Sequence, residues 1–591
     1  MNEIEQRLDS IRNLMRDHHL DAWVETGSDP HGSEYVAPRW RSREWLSGFT
    51  GSAGTIVVTQ EQALLWVDSR YHIQGAQQTA GSPYNLMRLG EPEVVDHVAY
   101  LADTLAVGAR VGMVGNTLSM ATAVALERAF VPKGIALIPT DDWYDEVWDQ
   151  RPTAPSEPVV AQDMVIAGTT VGAKIGKIRK VLDSLGCTHT IVSSLDDIAW
   201  ILNLRGSDIA YNPVFLAYLV ISGSEVVLFT DGSRLDLQWE ESFGALGKVE
   251  AYHKVFEYVG DMLRKHDVVY LSPEKSSMTL RRAIPEGIKV VEGRDVSTDL
   301  KARKSPIEIE GMRRAHLLDG IAMVKLLADL SRESVGYDEL SIAKKLANYR
   351  GEHEEYLGPS FSPIAGYGPH GALAHYSASE ESFSKLVGNG LLVLDTGGQY
   401  KTGTTDITRT LLFGEPTEQM KRDYTLVLKG NLALAAQRFP VGTCGYQLDV
   451  LARQYLWQSG LSYGHGTGHG VGFCLNVHEG PANISPKTIA VALDVGMVLS
   501  DEPGIYREGN YGIRLENLIV VQSAGATEFG EFHAFDVLTL CPFERKLIER
   551  ELLSDTERQM LDAYHGWVYS ELSDKLSEED AKWLREATLP L

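Results

Sequence analysis

The chain has 591 residues, 44% of them apolar, a net charge of −25 and four scattered cysteines with no CxxC pair. That length exceeds one ordinary core, so two to four domains are expected. The negative charge argues against nucleic acid or anionic membrane as a partner, no apolar run approaches the ~20 residues of a membrane-spanning helix, and Cys187, Cys444, Cys474 and Cys541 read as free thiols of a reducing cytoplasm.

The first stretch, residues 3–18, predicts a helix, with Ile4, Leu8, Ile11 and Met15 on one stripe and no signal-peptide core. DAWVET, GTIVVTQ and ALLWVDSR follow as strands, an α/β pattern. RPTAPSEP at 151–158 reads as a linker. A second helix is expected over 173–185, with Ile175, Ile178 and Leu182 aligned and Gly186 closing it. THTIVSSLDD, AYLVIS and VVLFTDGSR then repeat the first order, so residues 1–155 and 156–304 read as two copies of one α/β domain.

A third domain, 305–591, opens on a capping box, Ser305 and Glu308 flanking Pro306. Helices are expected to about Leu330 and over 338–350, then strands; helices over 417–438 and 445–459 and further strands repeat the order. Two helix–helix–strand halves suggest pseudo-two-fold symmetry. The tail, 554–591, predicts helix, with a capping box of Ser554 and Glu557 and with Met560, Tyr564 and Trp567 on one side.

Each half carries a pair of acids. Asp395 ends LLVLD, and Asp406 lies eleven residues on, past a Gly-rich turn; Glu502 ends MVLSDE, and Glu516 lies fourteen residues on. Hairpins would set each pair on facing strands, with opposed Cβ atoms about 5 Å apart, a spacing that suits metal ions about 3.5–4 Å apart. By the period of two, Gly512, Arg514, Glu516 and Leu518 would share a strand face. Acids of a very acidic protein usually lie solvated at the surface, but two of these sit in apolar strand patterns and the spacings are mirrored. Four converging carboxylates would raise one another's pKa unless cations neutralised them. Oxygen ligands with one imidazole suit Mn²⁺ first, with Co²⁺, Fe²⁺ or Zn²⁺ as rivals. His465 and His469 are four apart, as on a zinc-binding helix, but Gly464, Gly466, Gly468 and Gly470 oppose a helix and no HExxH glutamate is present. The segment reads as a loop bringing backbone close to a metal or substrate.

HGTGHGVG, VHEGP, DEPG and GIRLEN, with Asp395 and Asp406 upstream, resemble the metallopeptidase family of pita-bread fold. That family holds aminopeptidase P, prolidase and methionine aminopeptidase. SGFTGSAGT, DSRY, NLRGSDIAYNPVF and EGMRRAH extend the likeness over nearly the whole length, to the large three-domain form of aminopeptidase P. The fold implied is two similar α/β N-terminal domains followed by a pita-bread catalytic domain. The activity implied is removal of an N-terminal residue that precedes proline, from short peptides, by a cytoplasmic homodimer. Asp395 and Asp406 would hold one metal and His469 and Glu502 the other, with Asp406 and Glu516 bridging and a metal-bridging water as nucleophile. Glu502 would shuttle the proton, His478 would donate to the carbonyl oxygen, His375 would contact the scissile region, and His465 would shape the proline pocket. Arg514 would orient Glu516 or its neighbours, and Arg43, in SREWLSGFTGSAG, would reach over the cleft to the peptide beyond proline. SASE after Tyr376, and Thr396 after Asp395, depart from the commoner family residues, which bears on substrate preference more than on activity. The alternatives are a prolidase acting on Xaa-Pro dipeptides and a non-catalytic peptide-binding module, which should have lost ligands.

Overall fold

A computed structural model describes residues 3–332, 336–374, 376–380 and 382–591. They form two compact units, one of residues 1–161, 169–210 and 214–297, the other of 162–168, 211–213 and 298–591.

The first unit holds two six-stranded sheets. The first runs from strand Ala22–Glu25 to strand Ala136–Thr140, the second from His189–Val192 to Lys289–Glu292. In order of appearance, the strands of each lie 4-3-2-1-5-6 across the sheet. Strands 1, 2 and 3 are antiparallel in both, and the 3–4, 1–5 and 5–6 pairs are parallel in both. Helix Glu3–Asp17 buries Leu8, Ile11 and Met15, and helix Val171–Ser184 buries Ile175, Ile178 and Leu182, as the stripes predict. Gly186 follows the second helix at φ 67°, the left-handed region that glycine adopts without strain.

The second unit is built twice over. Helix Pro306–Arg332 starts on the expected box, the Ser305 N–H donating to Glu308 at 2.8 Å and the Glu308 N–H to the Ser305 hydroxyl at 3.3 Å. It packs with helix Glu339–Arg350 on the sheet of strands Ile364–Tyr367, Gly390–Thr396 and Ile407–Phe413, around Met323, Leu326, Ile342, Leu346, Leu392 and Leu394. Helices Glu418–Ala435 and Gly445–Gln458 pack in the same way on the six-stranded sheet containing Val498–Asp501 and Asn517–Thr527, around Leu434, Leu448, Ala452, Leu499 and Ile519. The two halves are joined by hydrogen bonds, the Glu516 N–H donating to the Thr408 carbonyl and the Thr410 hydroxyl to the Arg514 carbonyl.

The tail departs in phase from expectation. Ser554 and Glu557 do form the capping box of helix Asp555–Leu572, but the buried residues are Leu561, His565, Val568 and Leu572, while Met560 is exposed. Tyr564 lies at the margin of that stripe because its hydroxyl bonds Arg409 and the Cys541 carbonyl.

Candidate metal centre

The two acid hairpins are not built alike. In the first, Asp395 stands opposite Thr408, with Thr396 opposite Ile407, so Asp406 falls just before its strand and diagonal to Asp395 rather than facing it. The expected direct opposition is corrected: strand 407–413 begins only after the short Gly403–Thr404 strand has paired with Gly398–Tyr400, which takes up the intervening residues. In the second, Asp501 pairs with Asn517, so Glu502 follows and Glu516 precedes the same rung. Between them Gly504–Arg507 and Tyr511–Arg514 pair as a separate ribbon. That change of partner interrupts the strand at residues 515–516, so Gly512, Arg514, Glu516 and Leu518 do not share one continuous strand face.

His469 comes from the three-residue strand Gly468–Gly470, not a helix. The glycines around it are required by close packing. A Cβ on Gly468 would lie 2.0 Å from the Ser500 carbonyl oxygen, and one on Gly470 would lie 2.2 Å from that of Glu479. Helix 445–458 steadies the approach: Arg453 donates to the carbonyls of Tyr463 and His465, and Asp449 accepts the Thr467 hydroxyl at 2.6 Å.

The groups converge. His469 Nε2 lies 3.5 Å from Asp406 Oδ2 and 3.6 Å from Glu502 Oε1. One ligand atom each of Asp406, His469 and Glu516 falls within 4.8 Å of the others. Arg514 reaches Asp395 Oδ2 at 2.5 Å, and the Thr408 hydroxyl donates to Glu516 Oε2 at 2.7 Å. The remaining oxygens, Asp395 Oδ1 and Glu516 Oε1, are buried and meet no protein donor. Buried carboxylate oxygens are normally satisfied, so these two fit cations.

The electrostatics agree. Burial pushes the carboxyls of Asp395 and Glu516 up, Glu516 well above its ordinary value, with neighbouring acids adding to both. Burial also raises Glu502, to about 7, against the pull of His469 and Arg514. Burial alone would lower His469, but Asp406 and Glu502 outweigh it and carry the imidazole to about 9. Asp395, Glu502 and Glu516 are thus charged only reluctantly, and His469 is held charged by its neighbours, when no cation is among them.

The comparisons with known proteins converge on one family. A family model for metallopeptidase family M24 matches residues 310–523, and one for its C-terminal region matches 531–591. Two models of the creatinase/prolidase N-terminal domain match 7–147 and 150–308. A probable Xaa-Pro aminopeptidase P of Tuber melanosporum is 38% identical over 99% of both chains. Another, of Botryotinia fuckeliana, is 39% identical over 99% of this chain and 93% of its own. The chain belongs to metallopeptidase family M24. A crystal structure of X-prolyl aminopeptidase from Caenorhabditis elegans, described as a cytosolic enzyme with a di-nuclear active site, superposes with a TM-score of 0.95. It covers 100% of both chains at 33% identity. A Xaa-Pro dipeptidase from Bacillus anthracis shares the fold over 64% of this chain, at a TM-score of 0.52 and 24% identity. The M24 unit carries the expected pita-bread arrangement, two halves facing one site.

Within this M24 site the other candidates fall in different places. The His478 ring packs edge-on against that of His469, centroids 4.4 Å apart. His465 Nε2 bonds the Tyr506 hydroxyl at 2.8 Å, and the same hydroxyl accepts from Arg514 at 2.7 Å. Arg514 holds Asp395, not Glu516 directly; it meets Glu516 only through Thr408. His375 lies outside the described residues. Arg43 is a correction. It is buried, and its guanidinium turns inward to donate to the carbonyls of Thr26, Gly51 and Gly54 in its own domain rather than extending from the surface.

Several supporting residues were not read from sequence. Arg409 is fully buried and donates to the carbonyls of Glu516, Pro542 and Cys541, with its guanidinium over the Phe543 ring at 4.3 Å. Arg350 pairs with buried Asp319 at 2.7 Å and donates to the Thr396 hydroxyl, so the departure at 396 keeps a hydroxyl in use. A charged residue inside an apolar strand, as in TRTLLF, was the available signal for Arg409.

Proposed function

We propose that the chain is a metal-dependent Xaa-Pro aminopeptidase, releasing the N-terminal residue of short peptides whose second residue is proline. The observation that carries this reading is the convergence of Asp395, Asp406, His469, Glu502 and Glu516 from two hairpins and a glycine-flanked strand. Full-length relatives bearing that name support it. Those five residues would hold two divalent cations, Mn²⁺ before Co²⁺, Fe²⁺ or Zn²⁺ because four of the five are oxygen donors. Such ions supply Lewis acidity and lower the pKa of a water.

The chain's own residues do the rest. Glu502 takes a proton from the attacking water and returns it to the prolyl nitrogen as the C–N bond breaks. His478, beside His469, donates to the carbonyl oxygen as negative charge grows there. Arg514 keeps Asp395 oriented and ionised, and Thr408 orients Glu516. His465, fixed by Tyr506, forms a wall of the proline pocket, and His375 is assigned to the scissile region on the resemblance. Proline presents a tertiary amide with no N–H, so its pocket needs shape and no acceptor.

The three-part division at 155/156 and 304/305 is supported by the two matching sheets and the family-model matches. A cytoplasmic setting is supported by the cytosolic nematode relative. Among the described residues no helix is long and apolar enough to cross a membrane. A homodimer rests on the resemblance.

Mass spectrometry of products from Arg-Pro-Pro, Arg-Ala-Pro and Arg-Pro, with Mn²⁺ and after chelation, tests the activity. Metal-dependent release of Arg from Arg-Pro-Pro with Arg-Ala-Pro intact is expected. Cleavage of Arg-Pro alone would make the protein a prolidase, and no cleavage with metal bound would make it a binding module.

A further inference from the structure

Glu479 follows His478 directly, and its carboxylate is buried against two ammonium groups. Lys301 Nζ lies 3.3 Å from Glu479 Oε2, and Lys304 Nζ contacts Oε1. All three side chains are at most 2% exposed. One buried carboxylate is thus held by two ammonium groups, an arrangement that burial alone disfavours unless the charges stay paired. His478, by contrast, is exposed, and it sits between buried Val477 and buried Glu479.

The ladder is irregular beside this position. His469 pairs with Asn483, but the next residue, Gly470, pairs with Glu479, so residues 480–482 bulge out of the ladder. Such an irregularity disrupts the ladder locally and re-aims side chains. The lysines add a side-chain constraint at its edge. Lys304 is itself tied to the six-stranded sheet, since its N–H donates to the Gly496 carbonyl at 2.9 Å and the Gly496 N–H donates to Val521 at 2.9 Å. Gly496 lies at φ 89°, and a Cβ there would come within 2.4 Å of the Lys304 carbonyl oxygen.

We propose that Lys304 and Lys301 are positioning residues for the reaction: by clamping Glu479 they hold His478 against His469. This rests on the aminopeptidase reading of the same site. The carboxylate cannot swing away without leaving buried charges unpaired, so the 478–479 peptide is fixed, and with it the direction in which the imidazole donates.

The test is a double-mutant cycle on Arg-Pro-Pro hydrolysis between Lys304→Met and His478→Ala, with metal content measured for every variant. Lys304→Met should lower kcat by about 10–100-fold, with KM little changed and the metal retained. In the His478→Ala background the same substitution should change kcat by no more than about twofold, because its route of action is gone. Lys304→Arg, which keeps the charge, should recover part of the loss. Lys301→Met leaves one ammonium facing one carboxylate and serves as the milder variant should Lys304→Met not fold; it should show the same dependence on His478. If the losses from the lysine and histidine substitutions multiply in full, or if the lysine variant loses its metal, the proposal is overturned. An inactive wild-type enzyme would instead overturn the aminopeptidase reading.

Discussion

The two acid hairpins of the M24 unit have similar spacing in sequence and different geometry in space. The first sets its acids on a diagonal, Asp395 within the ladder and Asp406 just past its last rung. The second sets both acids just past one rung, Asp501 with Asn517, and in both hairpins the residues between the acids pair as a short ribbon of their own. Each is completed by the other. The second hairpin sends Arg514 to Asp395, and the first sends Thr408 to Glu516. Main chain joins them too, the Glu516 N–H donating to the Thr408 carbonyl at 3.1 Å. A carboxylate cluster therefore needs no symmetric hairpins; it needs each half to carry the support of its opposite.

Breaking the two supports separately should give unequal losses. Arg514→Met leaves buried Asp395 without its guanidinium and should weaken metal binding by about 100-fold, the upper end for a residue supporting a ligand. Thr408→Val keeps the volume but removes the hydroxyl shared by Arg514 and Glu516, and should cost about 10-fold. Because the two touch, the double variant should fall short of the product by a coupling of about 0.5–3 kcal/mol. Titration of the apoprotein with Mn²⁺ checks all three; strictly additive losses would mean that the halves are supported independently.

A smaller effect separates the charged cluster from the fold around it. Glu502 rises from 4.5 to about 7 and His469 from 6.5 to about 9, and Asp395 and Glu516 rise as well. In each case the folded, metal-free protein binds protons more tightly than the unfolded chain. The associated stability is complete below the ordinary values and is lost as pH climbs through the raised ones. The melting temperature of chelated protein should therefore fall between pH 6 and pH 9 relative to that of Mn²⁺-loaded protein. Parallel curves would show that these groups do not titrate with folding.

The fold was legible where local rules decide it. The stripe Leu8, Ile11 and Met15 and the box of Ser305 and Glu308 were readable because periodicity and capping act within a few residues. The acids and His469 were readable because carboxylates in apolar strands and glycines around a histidine are costly without a reason. What escaped depends on partners distant in sequence. The register that sets Asp395 opposite Thr408 is fixed by a neighbouring short sheet, and what Arg409 does in its apolar strand is set by the distant carbonyls that surround it. Arg43 misled because a motif locates a residue along the chain and says nothing of where its guanidinium turns.

The most direct measurement of the central claim is the metal content of wild-type protein and of Glu516→Gln, each loaded with excess Mn²⁺ and freed of unbound ions by gel filtration. Glu516 shares one small volume with Asp406 and His469, and its Oε1 has no protein partner. Two ions per chain in the wild type and fewer than one in the variant are expected. A variant that keeps both ions would contradict the assignment of these five residues as one centre.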